Sequence, residues 1–395
     1  MKRCLDGTAR SLGRPGRILL RISVKICAVP ALLLTVLLLA GASCEVEAGL
    51  AAPEKRELGV LSWNVQALFD GEESGAEYSD YAGTAGWSAE KYAARLTSIA
   101  RGISRISAGF PDILALVEIE NSQTLRDLAK SLAAEGGGKA RYRYDFFANV
   151  SGMSLGVGIL SKVPLSRQRA HSFYGDLETT PRPVAELWVE AGGTPLVLFV
   201  CHWKSKLGGD EATEDLRRAS ARLILRRVRE IEAETPGLPI LVLGDLNENH
   251  DEYYRQAGRY ICALLPDDPR AAEHAGLYGG AESVQTDFLV VSGDKPPRSS
   301  YFSGDAVSFY SPWGRELKNG SYFYGSAWET IDHILLNAAF FDGAGWDFND
   351  CEVLDGEPFT DSRGTPNAYN ARTGGGLSDH LPLYLSLKLL ESAGL

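Results

Sequence analysis

Polar residues stand at the ends of apolar segments in several parts of this 395-residue chain. The clearest case is the apolar run 241–243, followed by Gly244, Asp245 and, one residue further on, Asn247. Because alternate side chains of an extended strand share a face, Asp245 and Asn247 are predicted to point the same way. A carboxylate and a carboxamide placed together can hold a hard cation and orient a water molecule. The same residues also suit an ordinary tight turn, so the motif alone leaves both interpretations open.

Two earlier segments end in the same way. Asn64 and Gln66 close an apolar segment that begins at Leu58, and Glu118 follows the apolar run 113–117. A carboxylate placed after such a run costs stability unless it is paired, bound to a metal or exposed at the rim. These positions therefore join Asp245 and Asn247 as candidates for one site.

Histidines near charged residues form a second group of candidates. In chain order they are His202 with Lys204, Asp332 with His333, and Asp379 with His380. An imidazole beside a carboxylate can transfer protons or contact phosphate, while the carboxylate fixes its tautomer. A single histidine is more often structural, but the strand end favours a functional role for His202. Its carboxylate partner is not evident, and Glu186 is one candidate.

Apolar strands that alternate with amphipathic helices must position these side chains. Helices are predicted over 88–108, with Ser88 as the cap, and over 122–134 and 210–234. The third contains six arginines, at 217, 218, 222, 226, 227 and 229, most of which are expected on a solvated outer surface. Strands are predicted over 58–66, 111–121, 142–148, 156–161, 183–189, 195–201, 241–247 and up to Leu389. Residues 250–325 are expected to form long loops with short elements.

The first 43 residues have the basic-then-apolar order of an export signal. Their apolar run, 26–42, has 17 residues and is short for the ~20 that a membrane helix needs. Ala40-Gly41-Ala42 fits ordinary signal peptidase, whereas Ala42-Ser43-Cys44 resembles a bacterial lipobox in which Cys44 becomes acylated. Both cleavages and an uncleaved anchor stay open, with the lipoprotein favoured. Residues 44–57 would then be a tether to one large domain over 58–392.

Removal of residues 1–43 leaves 33 basic and 50 acidic residues, a net charge of −17. A nucleic-acid partner therefore requires a local basic patch or a bound cation. Beyond Cys44, only Cys201, Cys262 and Cys351 remain, which is no disulfide framework, although a Cys262–Cys351 bridge stays open. Since no Cys/His cluster has zinc spacing, the oxygen donors favour Mg²⁺ or Mn²⁺. No obligate protein partner is indicated.

Taken together and in this order, the motifs resemble the endonuclease/exonuclease/phosphatase family. That family includes pancreatic deoxyribonuclease, apurinic endonucleases, neutral sphingomyelinases and inositol polyphosphate 5-phosphatases. The resemblance rests on Trp63-Asn64-Val65-Gln66, Glu118, His202-Trp203-Lys204-Ser205, Gly244-Asp245-Leu246-Asn247, Ile331-Asp332-His333-Ile334 and Ser378-Asp379-His380-Leu381-Pro382. It covers about residues 58–392, looks most like the bacterial exported members, and implies a four-layer α/β sandwich of two mixed sheets with outer helices.

The resemblance also implies roles for the site residues. Asn64, Glu118 and Asp379 correspond to the metal side, and His202, Asp245, Asn247, Asp332 and His380 to the catalytic side. Gln66, Arg182 and Lys204 are expected to contact substrate, and the metal is expected to be Mg²⁺ or Mn²⁺. The segment 154–161 lacks the Arg or Tyr that abasic-site enzymes tend to have nearby. That difference weakens an abasic-repair function.

The leading expectation is an exported, metal-dependent phosphodiesterase, most simply a nuclease on extracellular nucleic acid. A phospholipid-headgroup phosphodiesterase of sphingomyelinase type is the alternative, and it would need an exposed apolar hairpin for membrane contact. Candidates for that hairpin are Tyr301, Phe302, Phe309, Tyr310, Trp313, Tyr322, Phe323 and Tyr324. A third hypothesis, an inactive binding module on the same fold, predicts lost polar residues at the strand ends, and here they are intact. The sequence leaves DNA, RNA and lipid headgroup open as substrates.

Overall fold

Alternate residues of the central strands face two different apolar layers. In β1 (Glu57–Leu68), Leu58 and Val60 face the core between two sheets, whereas Leu61 and Trp63 pack beneath helices. Every second side chain of a strand shares a face, so a strand buried on both sides has a nearly continuous apolar sequence. The computed structural model describes residues 56–172, 182–278, 287–302 and 306–390, and in it two mixed sheets pack face to face.

The first sheet has six strands. In spatial order they are β15 (Gly345–Val353), β16 (Leu383–Leu390), β1, β2 (Ile113–Ile119), β4 (Gly156–Ser161) and β3 (Tyr144–Ala148). β1 runs parallel to β2 and antiparallel to β16, with irregular pairing between Asn64 and Leu68 and around Glu118. The irregularities lie where the candidate residues leave the strands.

The second sheet has eight strands. In spatial order they are β5 (Leu165–His171), β6 (Val184–Ala191), β7 (Thr194–His202), β8 (Ile240–Asp245), β14 (Asp332–Leu336), β11 (Ser308–Tyr310), β10 (Leu289–Ser292) and β9 (Leu264–Pro266). The register of the three middle strands places His202 opposite Asp245, and Asp245 opposite Asp332. Three candidates far apart in sequence thus form a row across adjacent strands.

Helices cover the outer face of each sheet and complete the predicted four-layer α/β sandwich. Over the first sheet lie α1 (Ala89–Ser104) and α2 (Ser122–Gly136), and over the second lies α3 (Glu214–Glu234). Two short helices, α4 (Glu252–Arg255) and α5 (Pro269–Tyr278), lie near the end of the second sheet. The Ser88 hydroxyl caps α1 by accepting the Lys91 N–H, as predicted. Each fully buried aliphatic side chain in these layers contributes ~1.5–3 kcal/mol.

Two of the strands that the sequence did not indicate, β5 and β15, are edge strands. β5 is largely exposed, and β15 has buried and exposed residues in no clear alternation. An edge strand is paired on one side only, so its sequence lacks the apolar run of a central strand. The region 250–325 contains short elements, as expected, and ends in the β12 strand (Tyr322–Tyr324), which pairs with β13 (Ala327–Glu329) in a hairpin.

One arginine of α3 departs from the predicted solvated surface. Arg217 is fully buried, with its guanidinium 3.0 Å from Glu248 and bonded also to Glu214. The expectation covered most of the six arginines, and Arg217 is an exception because the helix turns it toward two carboxylates that need a cation.

The remaining predictions about cysteines and the leader have different outcomes. Cys201, Cys262 and Cys351 are free and buried, so no Cys262–Cys351 bridge exists. The export signal 1–43, Cys44 and all but the last two residues of the tether 44–57 lie outside the described residues. Within the described part of the chain, every helix is too short or too polar to cross a bilayer.

Replacement of Arg217 by Met should destabilise the domain by about 3–5 kcal/mol, because it leaves the buried Glu248 without its counter-ion. Urea unfolding followed by circular dichroism measures this loss. The matched control is Arg226→Met, because Arg226 is exposed and its weak ion pair contributes ~0.5 kcal/mol or less. Glu248→Gln in the Arg217→Met background should recover part of the stability. An equal loss in both single variants would contradict the buried-pair interpretation.

Candidate active site

A buried carboxylate, Asp245, lies at the centre of the candidate site. Its Oδ2 accepts a hydrogen bond from the Asn64 amide at 3.0 Å and lies 3.5 Å from Nε2 of His202 and 4.0 Å from Nε2 of His380. Its Oδ1 accepts the Asn247 backbone N–H at 2.9 Å. Burial, increased by the nearby Asp332 carboxylate, raises the pKa of Asp245 to about 7. A carboxyl group whose pKa is near 7 can exchange a proton at physiological pH.

Glycine at position 244 is required by the backbone approach of β7 to β8. Gly244 has φ +123°, and a Cβ atom there would lie 2.0 Å from the Cys201 carbonyl oxygen. Asn247, two residues beyond Asp245, has φ 51°, in the left-handed region that asparagine tolerates better than most residues. Its amide donates to the Trp203 carbonyl at 3.2 Å, so it joins the ends of β7 and β8.

Glu118 and Asn64 bring the first sheet to the Asp245 carboxylate. Glu118 has φ 68°; its Oε2 accepts the Ala67 N–H at 2.7 Å and its Oε1 accepts the Asn64 amide at 3.3 Å. The same Oε1 lies 3.8 Å from Nε2 of His202. Asn64 therefore bridges two carboxylates, one from each sheet. The structure thus brings Asn64, Glu118 and Asp245 together in one place.

His380 is held as a cation by Asp332. Its Nδ1 lies 2.7 Å from Oδ2 of Asp332, which also accepts the Ser321 hydroxyl at 2.6 Å. Burial lowers the pKa of His380, but the Asp332 carboxylate outweighs it and raises that pKa well above its ordinary value. The imidazolium thus points its Nε2–H toward Asp245 with its orientation fixed from behind.

His202 has the opposite electrostatic environment. Burial, assisted by the positive charges of Arg182 and His380, lowers its pKa well below the ordinary value, so the imidazole is neutral. The suggested partner Glu186 was wrong, because its carboxylate is bonded to His171 and Arg227 instead, each at 2.7 Å. The carboxylates nearest to His202 are those of Asp245 and Glu118. The site therefore holds one charged and one neutral histidine.

Gln66 and Asp379 lie on the rim and are joined to each other. Gln66 accepts the backbone N–H groups of Tyr369 and Asp379 through Oε1, at 2.6 and 3.0 Å, and donates to the Tyr369 carbonyl. Its amide is thereby used in positioning the segment before His380. The Asp379 side chain is 37% exposed, and its Oδ1 lies 4.0 Å from Nε2 of His380. This carboxylate is partly exposed, so a ligand can reach it.

The two predicted cations differ in placement. Arg182 donates to the Trp203 carbonyl at 2.9 Å, the same oxygen that accepts the Asn247 amide, so it lies at the edge of the site. The Lys204 ammonium donates instead to the carbonyl oxygens of Ser205 and Leu207 in the turn after β7. Arg182 therefore lies beside the candidate site residues, whereas the Lys204 ammonium is bonded within the turn that follows β7.

Two site residues were missed by the sequence reasoning. Ser321 donates to Asp332, and the ring of Tyr322 stacks on the His380 imidazole with centroids 4.6 Å apart. Both belong to the β12–β13 hairpin, which reaches this position through the Leu381 N–H bond to the Ser321 carbonyl. No motif marks either residue, because the contacts depend on where the hairpin folds.

Replacement of Asp245 or of His380 by alanine should lower kcat by at least ~10²-fold, since each removes a group positioned for proton transfer or charge stabilisation. Steady-state phosphodiester hydrolysis measures the loss, and circular dichroism checks the fold. Asp145→Ala, at an exposed carboxylate on β3, is the matched control and should retain activity. Wild-type turnover by either site variant would disprove the assignment.

Comparison with known proteins agrees with this architecture. The model of the Endonuclease/Exonuclease/phosphatase family matches residues 59–259, which include β1, β2, β7 and β8. A search among curated proteins found no match.

Several solved structures are similar to the chain. TDP2 from C. elegans has 17% identity and a TM-score of 0.45, over 84% of this chain and 75% of that chain. An endonuclease/exonuclease/phosphatase family protein from Bacteroides thetaiotaomicron has 15% identity and a TM-score of 0.47, over 84% and 95%. A family protein from Leptotrichia buccalis has 12% identity and a TM-score of 0.45, over 84% and 100%.

Proposed function

The chain belongs to the endonuclease/exonuclease/phosphatase family, and on that premise we propose that it is a metal-dependent phosphodiesterase acting on extracellular nucleic acid. The observation that supports this most is the Asp245 carboxylate, buried between Asn64, His202 and His380. In this cluster Asp245 can accept a proton, His202 is a neutral imidazole and His380 is a fixed cation. Phosphodiester hydrolysis needs a base for the attacking water and positive charge near the phosphate.

The donor set fits a hard divalent cation. Glu118 and Asp379 offer carboxylate oxygens, and the Asn64 side chain has a carboxamide oxygen that accepts the Gln66 N–H at 3.0 Å. Oxygen ligands suit Mg²⁺ or Mn²⁺. A cation bound there would neutralise charge on the phosphate and lower the pKa of a bound water. The carboxylates outnumber the one imidazolium, so a cation would also balance the charge of the site.

A second group, Asp245, Asp332 and His380, has potential ligand atoms within 4.8 Å of one another. We favour the Glu118 side, because the Glu118 oxygens accept from the neutral Asn64 amide and Ala67 N–H, whereas Asp332 and His380 form an ion pair at 2.7 Å. An imidazolium also has no free lone pair to offer a metal.

The residues of the chain then divide the chemistry. Asp245, with its pKa near 7, accepts the proton of the attacking water. The imidazolium of His380 donates toward the phosphate as negative charge grows on the oxygens that are not bridging, and Asp332 keeps it oriented. The Asn247 backbone N–H and neutral His202 keep the Asp245 carboxylate in position. Arg182 adds a positive charge at the edge where an extended anionic substrate would enter.

Removal of divalent metal should abolish hydrolysis, and Mg²⁺ or Mn²⁺ should restore it, because the oxygen donors cannot by themselves offset the charge of the phosphate. The mature protein is treated with EDTA, dialysed, and assayed with plasmid DNA, RNA and sphingomyelin in parallel. Metal-dependent cleavage of nucleic acid but not sphingomyelin is the expected result. Full activity in chelator would contradict the proposed metal dependence. Cleavage of sphingomyelin alone would favour the lipid-headgroup alternative. If none of the three substrates is cleaved in the presence of metal, the inactive binding module would be the remaining hypothesis.

We also propose that the protein is a bacterial lipoprotein anchored through Cys44. The support is the sequence order of a basic lead, a short apolar run and Cys44 after small residues. Several acyl chains on one cysteine bind a membrane far more firmly than a single chain.

Replacement of Cys44 by Ser should move the protein from the membrane fraction to the soluble fraction or leave it as unprocessed precursor, because no acyl chain can be attached. Fractionation and mass spectrometry of the amino-terminal peptide measure both outcomes. Cys201→Ser is the control, since that buried cysteine cannot be the anchor. An unmodified mature terminus at Ser43 in the wild type would disprove lipidation.

A further inference from the structure

Three aromatic rings lie in a continuous stack that starts at the active site. Tyr322 stacks on His380 with centroids 4.6 Å apart and an interplanar angle of 29°. Tyr324 stacks on Tyr322 with centroids 6.2 Å apart and an angle of 10°. The His380 end is buried, whereas Tyr324 is 68% exposed. The stack therefore joins the reacting groups to an open aromatic surface.

The hairpin that carries the stack is held firmly. Tyr322 and Tyr324 are two residues apart, so both rings lie on the same face, and Phe323 on the opposite face packs edge-on against Trp328 at 5.2 Å. The turn at Gly325 and Ser326 has positive φ at both residues, 57° and 69°, which matches the twist of a two-residue hairpin. A ring that arrives at Tyr324 therefore meets a surface already in place.

Three of the other aromatic residues considered for membrane contact are not available, although Tyr301 is 55% exposed. Phe309, Tyr310 and Trp313 are buried in the core. Within the hairpin, Phe323 is 36% exposed but engaged with Trp328, and the tip consists of Gly325 and Ser326. An apolar membrane probe would expose aliphatic or indole surface at its tip. The hairpin presents a tyrosine face directed along the stack from His380.

We propose that Tyr324, extended by Tyr322, is a stacking platform for a nucleobase of the strand whose phosphate lies at Asp245 and His380. This deepens the proposed function and rests on it, since it names the part of the substrate that the site selects. Every base has a π-face, so aromatic platforms bind single strands with little sequence preference. The platform would therefore select nucleic acid over a headgroup without a planar ring.

The test compares two substrates with the same backbone charge. One is a single-stranded thymidine oligomer, and the other is an oligomer of equal length built from base-free sugar-phosphate units. The mature wild-type protein with Mg²⁺ should have a higher kcat/KM on the oligomer with bases. Tyr324→Ala should lower that value by about 5- to 100-fold and leave the base-free oligomer unchanged. Tyr324→Trp should retain the preference, because indole also stacks.

Tyr301→Ala is the matched control, because Tyr301 is a tyrosine with 55% exposure on a loop bonded to Asp267, and it should change neither substrate. An equal loss by Tyr324→Ala on both oligomers would overturn the platform and leave Tyr324 a support for His380. Equal wild-type rates on the two oligomers would also overturn it.

A failure of the proposed function itself can be distinguished from a failure of the platform. If the wild type cleaves neither oligomer, the nuclease proposal fails and the platform with it. Binding to vesicles of phosphatidylcholine and sphingomyelin gives the remaining comparison. Loss of vesicle binding in Tyr324→Ala, with both oligomers cleaved as by the wild type, would make the hairpin a membrane contact and overturn the inference.

Discussion

The Asp245 carboxylate is the interaction on which the rest of the site depends. It belongs to the second sheet, yet its Oδ2 accepts the amide of Asn64 from the first. Burial of a charged carboxylate costs several kcal/mol unless hydrogen bonds replace its water. The Asn64 amide supplies its bond only when the two sheets are packed together, whereas the Asn247 N–H comes from the same segment as Asp245. The packing of the sandwich and the assembly of the site are therefore the same event.

Strained backbone surrounds this carboxylate. Gln66, Ala67, Glu118 and Asn247 all have φ between 48° and 68°, although none is glycine. Such residues cost ~1–3 kcal/mol each and persist where other contacts hold them. Here the Ala67 N–H is bonded to Glu118, and Arg95, buried beneath, donates to the Val65 carbonyl and stacks over Tyr369. The strain directs the side chains at the strand ends toward one another.

The site has the acidic character of the whole chain. Its carboxylates, those of Glu118, Asp245, Asp332 and Asp379, outnumber the His380 imidazolium and Arg182 at the edge. A polyanion would therefore be repelled unless a bound cation offsets this charge. Binding would then depend on local contacts, such as an aromatic surface and a metal ion. The stack from His380 to Tyr324 provides a contact that salt does not screen.

The sequence by itself determined the layers of the fold and most of the site. Continuous apolar runs indicated the central strands, and the polar residues that end them, such as Asn64, Glu118 and Asp245, could be named because strand ends have a local signature. Only the tertiary structure decided what depends on contacts between distant segments. In the tertiary structure Glu186 is bonded to His171 and is not the partner of His202. Arg217 is buried between two glutamates, and the Lys204 ammonium is bonded within the turn after β7. The tertiary structure also placed Ser321 and Tyr322 against Asp332 and His380, because the position of a hairpin is set by its packing and by the Leu381 bond, and no periodicity in the chain encodes that position.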